Sequence, residues 1–424
     1  MARGLTVRPR GAAAAAGALA ARFPALQHVY FRRYIAGQGI SLIGFWMQAV
    51  AQSWLVYRLS ASAFALGVVA SAAYLPVLCL APAAGVVADR VDRHRLVVLT
   101  QTLAMLLALG LGTLVALGIA TVPIVAVFAL GLGVVGAFDL PTRQAFLVQM
   151  VGAQDLPSAI AMNASVFNAA RVIGPALAGM LVASIGEAPC FFLNAASYLA
   201  VIGALLTMRF PRAAGRGAAA PRRGELRSGV RYVRAHPPLG ALLLALGVVS
   251  GLALQFGVLL PVVAERRFGA GASGYGMLLT AVGVGAVCSA LELASRRPDA
   301  ATHRRHLLGG LVAFGLGLLG LAASPRLAAA LACNVVAGFG LIRFTATTNT
   351  LLQLLVDDGY RGRVMGLHTV MFMGTSPAGS LLLGALAQRF GAVPALIVSA
   401  AAPLGAAAWL IPRLSLARLE RGGP

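Results

Sequence analysis

The sequence contains no lysine, few acidic residues and only four cysteines. All 34 basic residues are Arg, whereas Asp and Glu together number 12 in a chain of 424 residues. A phosphate-binding loop of the form G-x-x-x-x-G-K-[S/T] needs a lysine, so an ATP-driven pump of that class is excluded. The cysteines have no metal-ligand spacing and lie in or beside apolar segments; they are Cys79, Cys190, Cys288 and Cys333. With no Cys/His cluster and no nucleophile elbow, we expect neither an enzyme nor a cofactor.

Apolar residues are abundant and occur in long runs. Hydrophobic residues make up 59% of the chain and charged residues 11%, which is not the composition of a water-soluble protein. Stretches of roughly 20 apolar residues alternate with short connectors, and each is long enough as a helix to cross a bilayer core of roughly 30 Å. The pattern predicts an all-α polytopic membrane protein with 12 transmembrane helices. These predicted spans, numbered 1 to 12, are 31–57, 65–87, 96–118, 121–142, 159–184, 189–208, 239–263, 274–294, 306–323, 327–352, 364–388 and 392–412.

Arginine is distributed unequally between the two sides of the predicted membrane. The termini and the even-numbered connectors hold 27 Arg residues when Arg32 and Arg33 at the start of span 1 are counted with the N-terminus, whereas the odd-numbered connectors hold five. Because positively charged connectors stay in the cytoplasm, we expect both termini to be cytoplasmic in a bacterial inner membrane. The net charge of +22 then reflects this bias and an attraction to anionic membrane lipids, so nucleic acid is not expected as a partner.

The chain divides into two halves that resemble each other. The segment GAFDLPTRQAFLVQ at 136–149 aligns with GLIRFTATTNTLLQ at 340–353 at an offset of 204 residues, matching Gly136 with Gly340 and Gln149 with Gln353. Parallel repeats of six spans are the architecture of major facilitator transporters. The predicted organisation is an N-terminal tail (1–30), a six-helix bundle (31–208), a cytoplasmic linker with an interfacial helix (209–238), a second six-helix bundle (239–412) and a C-terminal tail (413–424).

A charged motif, GVVADRVDRHR, connects spans 2 and 3. It resembles the major facilitator signature G-x-L-a-D-R-x-G-R-K/R through Gly85, Asp89, Arg90, Arg93 and Arg95, and departs from it at Asp92 and His94. A small residue permits close helix approach, and a carboxylate facing guanidinium groups can hold one conformation through charge-assisted hydrogen bonds. We therefore interpret the motif as a conformational latch; the alternative is charge that only sets topology.

Three longer stretches sharpen the resemblance. FRRYIAGQGISLIGFWMQAVAQSWLVYRLSASAFALGVV, AFDLPTRQAFLVQMV and NAARVIGPALAGML are similar to the transmembrane secretion effector branch of the major facilitator superfamily, which includes enterobactin-exporter-like and macrolide-efflux-like proteins. The resemblance implies a monomer that exports a small molecule, such as a siderophore or an antibiotic, commonly by proton antiport. Two alternatives stay open: a facilitator without proton coupling, and a receptor or assembly partner that does not transport.

Within span 5, RVIGPALAG resembles the antiporter motif, with Gly174, Pro175 and Gly179 retained and Ala178 in place of a glycine. Glycine and proline let a helix bend and pack closely, with lost backbone bonds compensated by neighbouring helices. A coupling role and ordinary small-residue packing are both compatible with this motif.

Ionisable groups inside a membrane are costly and are functional candidates for that reason. Asp139 and Arg343 occupy equivalent positions of the two repeats, so we expect them to face each other across a central cleft and to form a gate that protonation of Asp139 weakens. The alternative is a local pair of Asp139 with Arg143, one helical turn later. Arg171 in span 5 and Glu292 in span 8 are further candidates, although Glu292 also fits a degenerate copy of the 85–95 motif.

Polar and aromatic residues in spans 1, 5 and 7 suggest an amphipathic substrate pocket. Amide groups within spans bond between helices or face a wet cavity, and nearby aromatic rings suit a partly aromatic cargo. The candidate pocket residues are Trp46, Gln48, Gln52, Asn168, Gln255 and Phe256. Each amide also has an alternative role in helix packing.

Overall fold

A computed structural model describes residues 23–208, 225–295 and 299–414, and these residues are helical almost throughout, with no strand among them. The predicted N-terminal tail up to residue 22, linker residues 209–224 and the last ten residues lie outside the described part. The helices are α1 (Val29–Ser60), α2 (Ala63–Arg90), α3 (Arg93–Ala116), α4 (Val122–Ile185), α5 (Ala188–Leu206), α6 (Glu225–Ala235), α7 (Pro237–Leu252), α8 (Leu260–Arg266), α9 (Gly271–Ala294), α10 (Ala300–Ala323), α11 (Leu327–Leu355), α12 (Arg361–Met373), α13 (Ser376–Phe390) and α14 (Ala392–Leu410).

Helix starts follow from local sequence. Ser62 begins α2 by accepting a hydrogen bond from the Ala65 amide at 3.2 Å, and Asp299 begins α10 by accepting one from the Thr302 amide at 2.8 Å. Proline stands in the first turn of α4, α5 and α7, where no amide hydrogen is needed. These signals separate successive membrane crossings with connectors of only a few residues.

Eleven apolar helical stretches in the described ranges are long enough to cross a membrane. One of them, α4, has 64 residues and would measure about 96 Å if straight, far more than a bilayer core. Its backbone leaves the helical conformation at Gly152, where φ is 75°, so α4 contains two crossings. The twelve crossings and the all-α fold class predicted from the sequence are therefore confirmed.

The two halves pack on each other mainly through two helix pairs, α2 with α13 and α4 with α9. A Cβ atom at Gly276 would lie 2.7 Å from the Cα of Gly179, and one at Gly384 would lie 2.7 Å from the carbonyl oxygen of Ala63. Only glycine fits at these two positions. Small residues that let backbones approach closely are the usual means of helix association in membranes.

The hydrogen bonds between the halves cluster at one end of the bundle. We call the end where α5 stops and α6 begins the linker end, and the opposite end the far end. At the far end, Arg266 Nη2 donates to the Ala61 carbonyl at 2.6 Å, and the Gln388 side-chain oxygen accepts from Ser62 and the Ala63 amide, each at 3.1 Å. Tyr275 of α9 also bonds Ser53 of α1 towards the same end, and a long contact of 3.5 Å joins Thr280 to the Val172 carbonyl near mid-helix.

Exposure along α4 shows the same asymmetry. Ile160, Phe167, Gly174 and Ala178 recur at helical spacing on one face of this helix. Ile160 and Phe167, nearer the linker end, are exposed, whereas Gly174 and Ala178, nearer the far end, are buried. This face packs against α1 of the same half towards the far end. The hydrogen bonds between the halves also concentrate at the far end, and we call the region between the halves at the linker end the cleft.

Helix α6 packs against the connector that precedes α12. The Tyr232 hydroxyl donates to Asp357 Oδ2 at 2.9 Å, and its ring stacks on Tyr360 with 4.2 Å between centroids. Burial raises the pKa of Tyr232, which keeps the phenol protonated as a donor. The chain leaving the linker is thereby fixed to the second half.

Candidate functional site

The 85–95 motif spans the end of α2 and the start of α3. Gly85 was expected to permit close helix approach, but a Cβ atom there would meet no atom within 4 Å. The close approach is therefore not made by the described atoms in this conformation, and it stays a prediction for another state. The side chain of Asp89 lies outside the described part of the structure, so the latch that it would form with Arg90, Arg93 or Arg95 stays a prediction.

The two departures from the signature have structural roles. Asp92 caps α3 by accepting a hydrogen bond from the Arg95 amide at 3.2 Å. His94 Nε2 donates to the Leu205 carbonyl at 2.8 Å and so ties α3 to the end of α5. An N-cap of this kind contributes about 1 kcal/mol to helix stability. Asp92, which stands where the signature has a glycine, therefore acts as the N-cap that begins α3.

Asp139 lies buried in α4 and has three side-chain partners. Its Oδ1 accepts hydrogen bonds from Thr100 and Gln101 of α3, each at 2.8 Å, and its Oδ2 is 2.6 Å from Arg143 Nε. The Arg143 pair is the local alternative that the i, i+4 spacing suggested. Together these donors satisfy both oxygens of the carboxylate.

Arg343 in α11 pairs with Glu292 at the end of α9, with 2.5 Å between Nη1 and Oε2. Asp139 and Arg343, expected to pair across the cleft, each have a partner within their own half instead. The reason is proximity. Arg143 is one helical turn from Asp139, and Glu292 lies on a helix of the same bundle as Arg343, so both pairs form without closing the cleft. The cross-cleft pair is therefore not formed in this conformation, and its existence in another state stays a prediction.

The span 5 motif packs α4 against both halves. A Cβ atom at Gly174 would lie 2.5 Å from Trp46 Cβ in α1, and one at Gly179 would lie 3.0 Å from the Gly276 Cα in α9. Pro175 lacks an amide hydrogen, so the Arg171 carbonyl one turn earlier loses its helical partner. That carbonyl faces Gly283 of α9, where a Cβ would lie only 3.0 Å away. The close packing is observed, whereas a coupling role stays a prediction.

Arg171 lies near the middle of the second crossing of α4. Its guanidinium carbon is 5.7 Å from the centroid of the Trp46 ring, which also meets Phe167 edge-on at 5.6 Å. Tyr74 of α2 lies within electrostatic range of the same guanidinium. In this group of four residues, the Arg171 cluster, Tyr74 and Phe167 are exposed and Arg171 and Trp46 are half-buried.

The predicted pocket residues do not form a single group. Gln48 is buried and accepts a hydrogen bond from Asn194 at 2.5 Å. Gln255 bonds Ser376 and Ser380 at 2.9 and 3.0 Å, which is the helix-packing alternative. Three further candidates are placed as follows: Phe256 packs edge-on against Phe314, Asn168 bonds the Ala164 carbonyl of its own helix, and Gln52 is partly exposed. Trp46 alone lies beside a charged group.

Sequence reasoning missed two groups of residues. Thr100 and Gln101 were not identified, because polar residues in span 3 carry no local signal for which helix they face. Arg58 and Glu187 form a two-point ion pair at the far end, with bonds of 2.7 and 3.2 Å. The sequence does carry a signal for this pair, because Arg58 directly follows predicted span 1 and Glu187 lies just before predicted span 6.

The chain is similar to known transporters over most of its length. The family described as transmembrane secretion effectors matches residues 20–422. The staphyloferrin A transporter of Staphylococcus aureus is 24% identical, with 85% of this chain and 90% of the relative covered. The multidrug efflux pump Tap of Mycolicibacterium fortuitum is 27% identical, with 89% and 93% covered.

A solved structure supports the fold. A bacterial homolog of the human lysosomal transporter Spinster superposes with a TM-score of 0.72 at 14% identity, covering 92% of this chain and 97% of that one. The family and these relatives are transporters and not enzymes, as expected from the sequence. The chain belongs to the transmembrane secretion effector family of major facilitator transporters.

Proposed function

We propose that this transporter exports a small amphipathic molecule by alternating access. The observation that carries the proposal is the one-sided contact between the halves, which meet at the far end and separate towards the linker end. Each ion pair of the predicted spans, Asp139 with Arg143 and Glu292 with Arg343, lies within one half. The halves can therefore rock relative to each other without separating these opposite charges. Separating them in a low-dielectric setting would cost free energy.

The linker end faces the cytoplasm in this proposal. The 27 to 5 distribution of Arg supports that orientation and an inner-membrane location. The conformation described here is then the inward-open state, in which cargo enters from the cytoplasm. The predicted bundles 31–208 and 239–412 are the two moving bodies, joined by the 209–238 linker.

Proton antiport is the proposed driving force. Asp139 and Glu292 are the acidic residues inside the predicted spans, and each is held by an Arg in this state. A carboxylate that loses its guanidinium partner in a low-dielectric setting gains proton affinity, so a conformational change that loosens either pair would let it bind a proton. The relatives support a small-molecule cargo, since one is a siderophore transporter and the other a multidrug efflux pump.

Everted membrane vesicles test the proposal. Vesicles with an acidic lumen should accumulate a fluorescent amphiphile from a panel that includes ethidium and carboxyfluorescein, and collapsing the pH gradient should release it. Asp139→Asn and Glu292→Gln should be compared for loss of the pH response at equal membrane abundance. Accumulation that does not depend on the gradient would support the facilitator alternative, and no transport of any panel member would favour the receptor alternative.

A further inference from the structure

Among the residues that the structure describes, the charges in the interior of the predicted spans are paired with one exception. Asp139 pairs with Arg143 and Glu292 pairs with Arg343. Arg171 lies near the middle of a crossing, yet it has no hydrogen bond or ion pair with any residue that the structure describes. An uncompensated guanidinium at this depth costs several kcal/mol.

The sequence has no other acidic residue to neutralise Arg171. Ten of the 12 acidic residues lie in connectors, tails or the last turns at helix ends, and the two within the spans are already paired. The Trp46 ring beside Arg171 supplies a cation–π contact, which contributes about 0.5–2 kcal/mol and leaves the charge only partly compensated. A negative charge from outside the chain is what this position lacks.

A second donor next to Arg171 is also unsatisfied. Trp46 Nε1 is buried and has no acceptor among the described residues. A buried N–H without a partner costs about 1–3 kcal/mol. Two neighbouring donors, one of them charged, that both lack an acceptor are complementary to an oxyanion rather than to a cation or a neutral amine.

The position of the cluster suits a cargo. Trp46, Tyr74 and Arg171 all lie near the middles of their crossings, where transporters of this architecture bind substrate. Tyr74 and Phe167 are 38% and 39% exposed, although they stand beside a charged group in the protein interior. Beyond Arg171, the α4 face is buried against α1 and α9, so the cluster forms the closed end of the cleft.

We propose that Arg171 and Trp46 bind an acidic group of the cargo, and that Phe167 and Tyr74 contact its aromatic or apolar part. The cargo class is an amphipathic organic anion that carries a carboxylate or a comparable oxyanion. The inference rests on the proposed export function, because it names the chemistry of what is exported.

Equilibrium binding to the purified full-length protein tests the inference. The probes are tritiated 1-naphthylacetate and its neutral amide, measured by scintillation proximity. Arg171→Gln should weaken binding of the acid by about tenfold or more and change binding of the amide by less than about twofold. Arg171→Lys, which keeps the charge, should restore most of the affinity for the acid. Arg326→Gln, an exposed far-end control, should behave as wild type.

Equal loss of acid and amide binding in Arg171→Gln, or no preference of the wild type for the acid, would overturn the inference. Vesicle transport separates this failure from failure of the proposed function. If Arg171→Gln exports carboxyfluorescein as well as the wild type does, the proposed export function stands and the anion site is refuted. If the protein binds the acid selectively but exports no panel member, the anion site stands and the proposed export function is refuted.

Discussion

At Asp139, three donors from two helices converge on one carboxylate inside the membrane. Thr100 and Gln101 bond one oxygen and Arg143 the other. Hydrogen bonds to a charged group contribute about 1.5–3 kcal/mol each, more than neutral ones. The neighbouring helices α3 and α4 are therefore fixed to each other at this residue.

Removing the two α3 donors should loosen this contact. We expect Thr100→Val combined with Gln101→Leu to lower the free energy of unfolding in detergent by about 2–4 kcal/mol, less than two full charged bonds because the apolar side chains still pack. Thermal unfolding followed by intrinsic fluorescence measures the effect. Thr113→Val on the same helix is the control, since its exposed hydroxyl bonds only the Leu109 carbonyl. Equal stability of both variants would mean that the donors do not hold Asp139.

Sequence reasoning located the charged residues of the membrane but not all their partners. Asp139, Arg171, Glu292 and Arg343 stand out because any charge in an apolar run is costly. The i, i+4 rule also suggested Arg143. The Glu292 and Arg343 pair was missed, because partners on different helices depend on rotations and depths that one chain's periodicity does not specify.

At the scale of elements, α4 determines much of the architecture. It crosses the membrane twice with a break only at Gly152. The sequence predicted spans ending at 142 and starting at 159, since Arg143, Gln154 and Asp155 end the apolar pattern. The helix continues past them, because a helix does not need an apolar sequence once it leaves the lipid. Hydropathy therefore locates the crossings, whereas helix ends require the structure.

The crossing of α4 and α9 gives a prediction for the closed far end. Gly276→Ala places a methyl group 2.7 Å from Gly179 Cα and from the Pro175 carbonyl, so one backbone must move. We expect a loss of about 1–3 kcal/mol in the free energy of unfolding, as for other overpacked sites. Thermal unfolding in detergent is the measurement.

Gly203→Ala is the matched control for that experiment. It lies within α5, and its Cβ would meet no atom within 4 Å, so the substitution should be neutral or stabilise by about 0.5–1 kcal/mol. If both variants lose the same stability, the close crossing is not what matters at Gly276.

At the scale of the molecule, the repeat accounts for the symmetric placement of charge. Asp139 and Arg343 occupy equivalent positions, and each is neutralised within its own half. The weak internal similarity and the central linker predicted two bundles, and the bounds of those bundles stay a prediction. The conformational state could not be predicted, since under the proposed alternating access one sequence encodes inward-open and outward-open packings that differ little in free energy.

Orientation is testable by cysteine accessibility. In a variant without the four native cysteines, Ile119→Cys at the far end should react with an impermeant maleimide added to intact cells. Gly359→Cys at the linker end should react only after permeabilisation, since connectors rich in Arg stay inside. Both positions are exposed, and a Cβ at Gly359 meets no atom within 4 Å. Labelling of Gly359→Cys in intact cells would reverse the proposed orientation.

The most direct test of the central claim measures distances at both ends of the bundle in the same preparation. Spin labels at Ala153 and Gly359 report on the linker end, and labels at Ile119 and Arg326 report on the far end; all four positions are exposed. On addition of the panel compound that the vesicles accumulate best, alternating access predicts a shorter linker-end distance and a longer far-end distance, measured by double electron–electron resonance. Unchanged distances during demonstrated transport, or changes in the same direction at both ends, would contradict it.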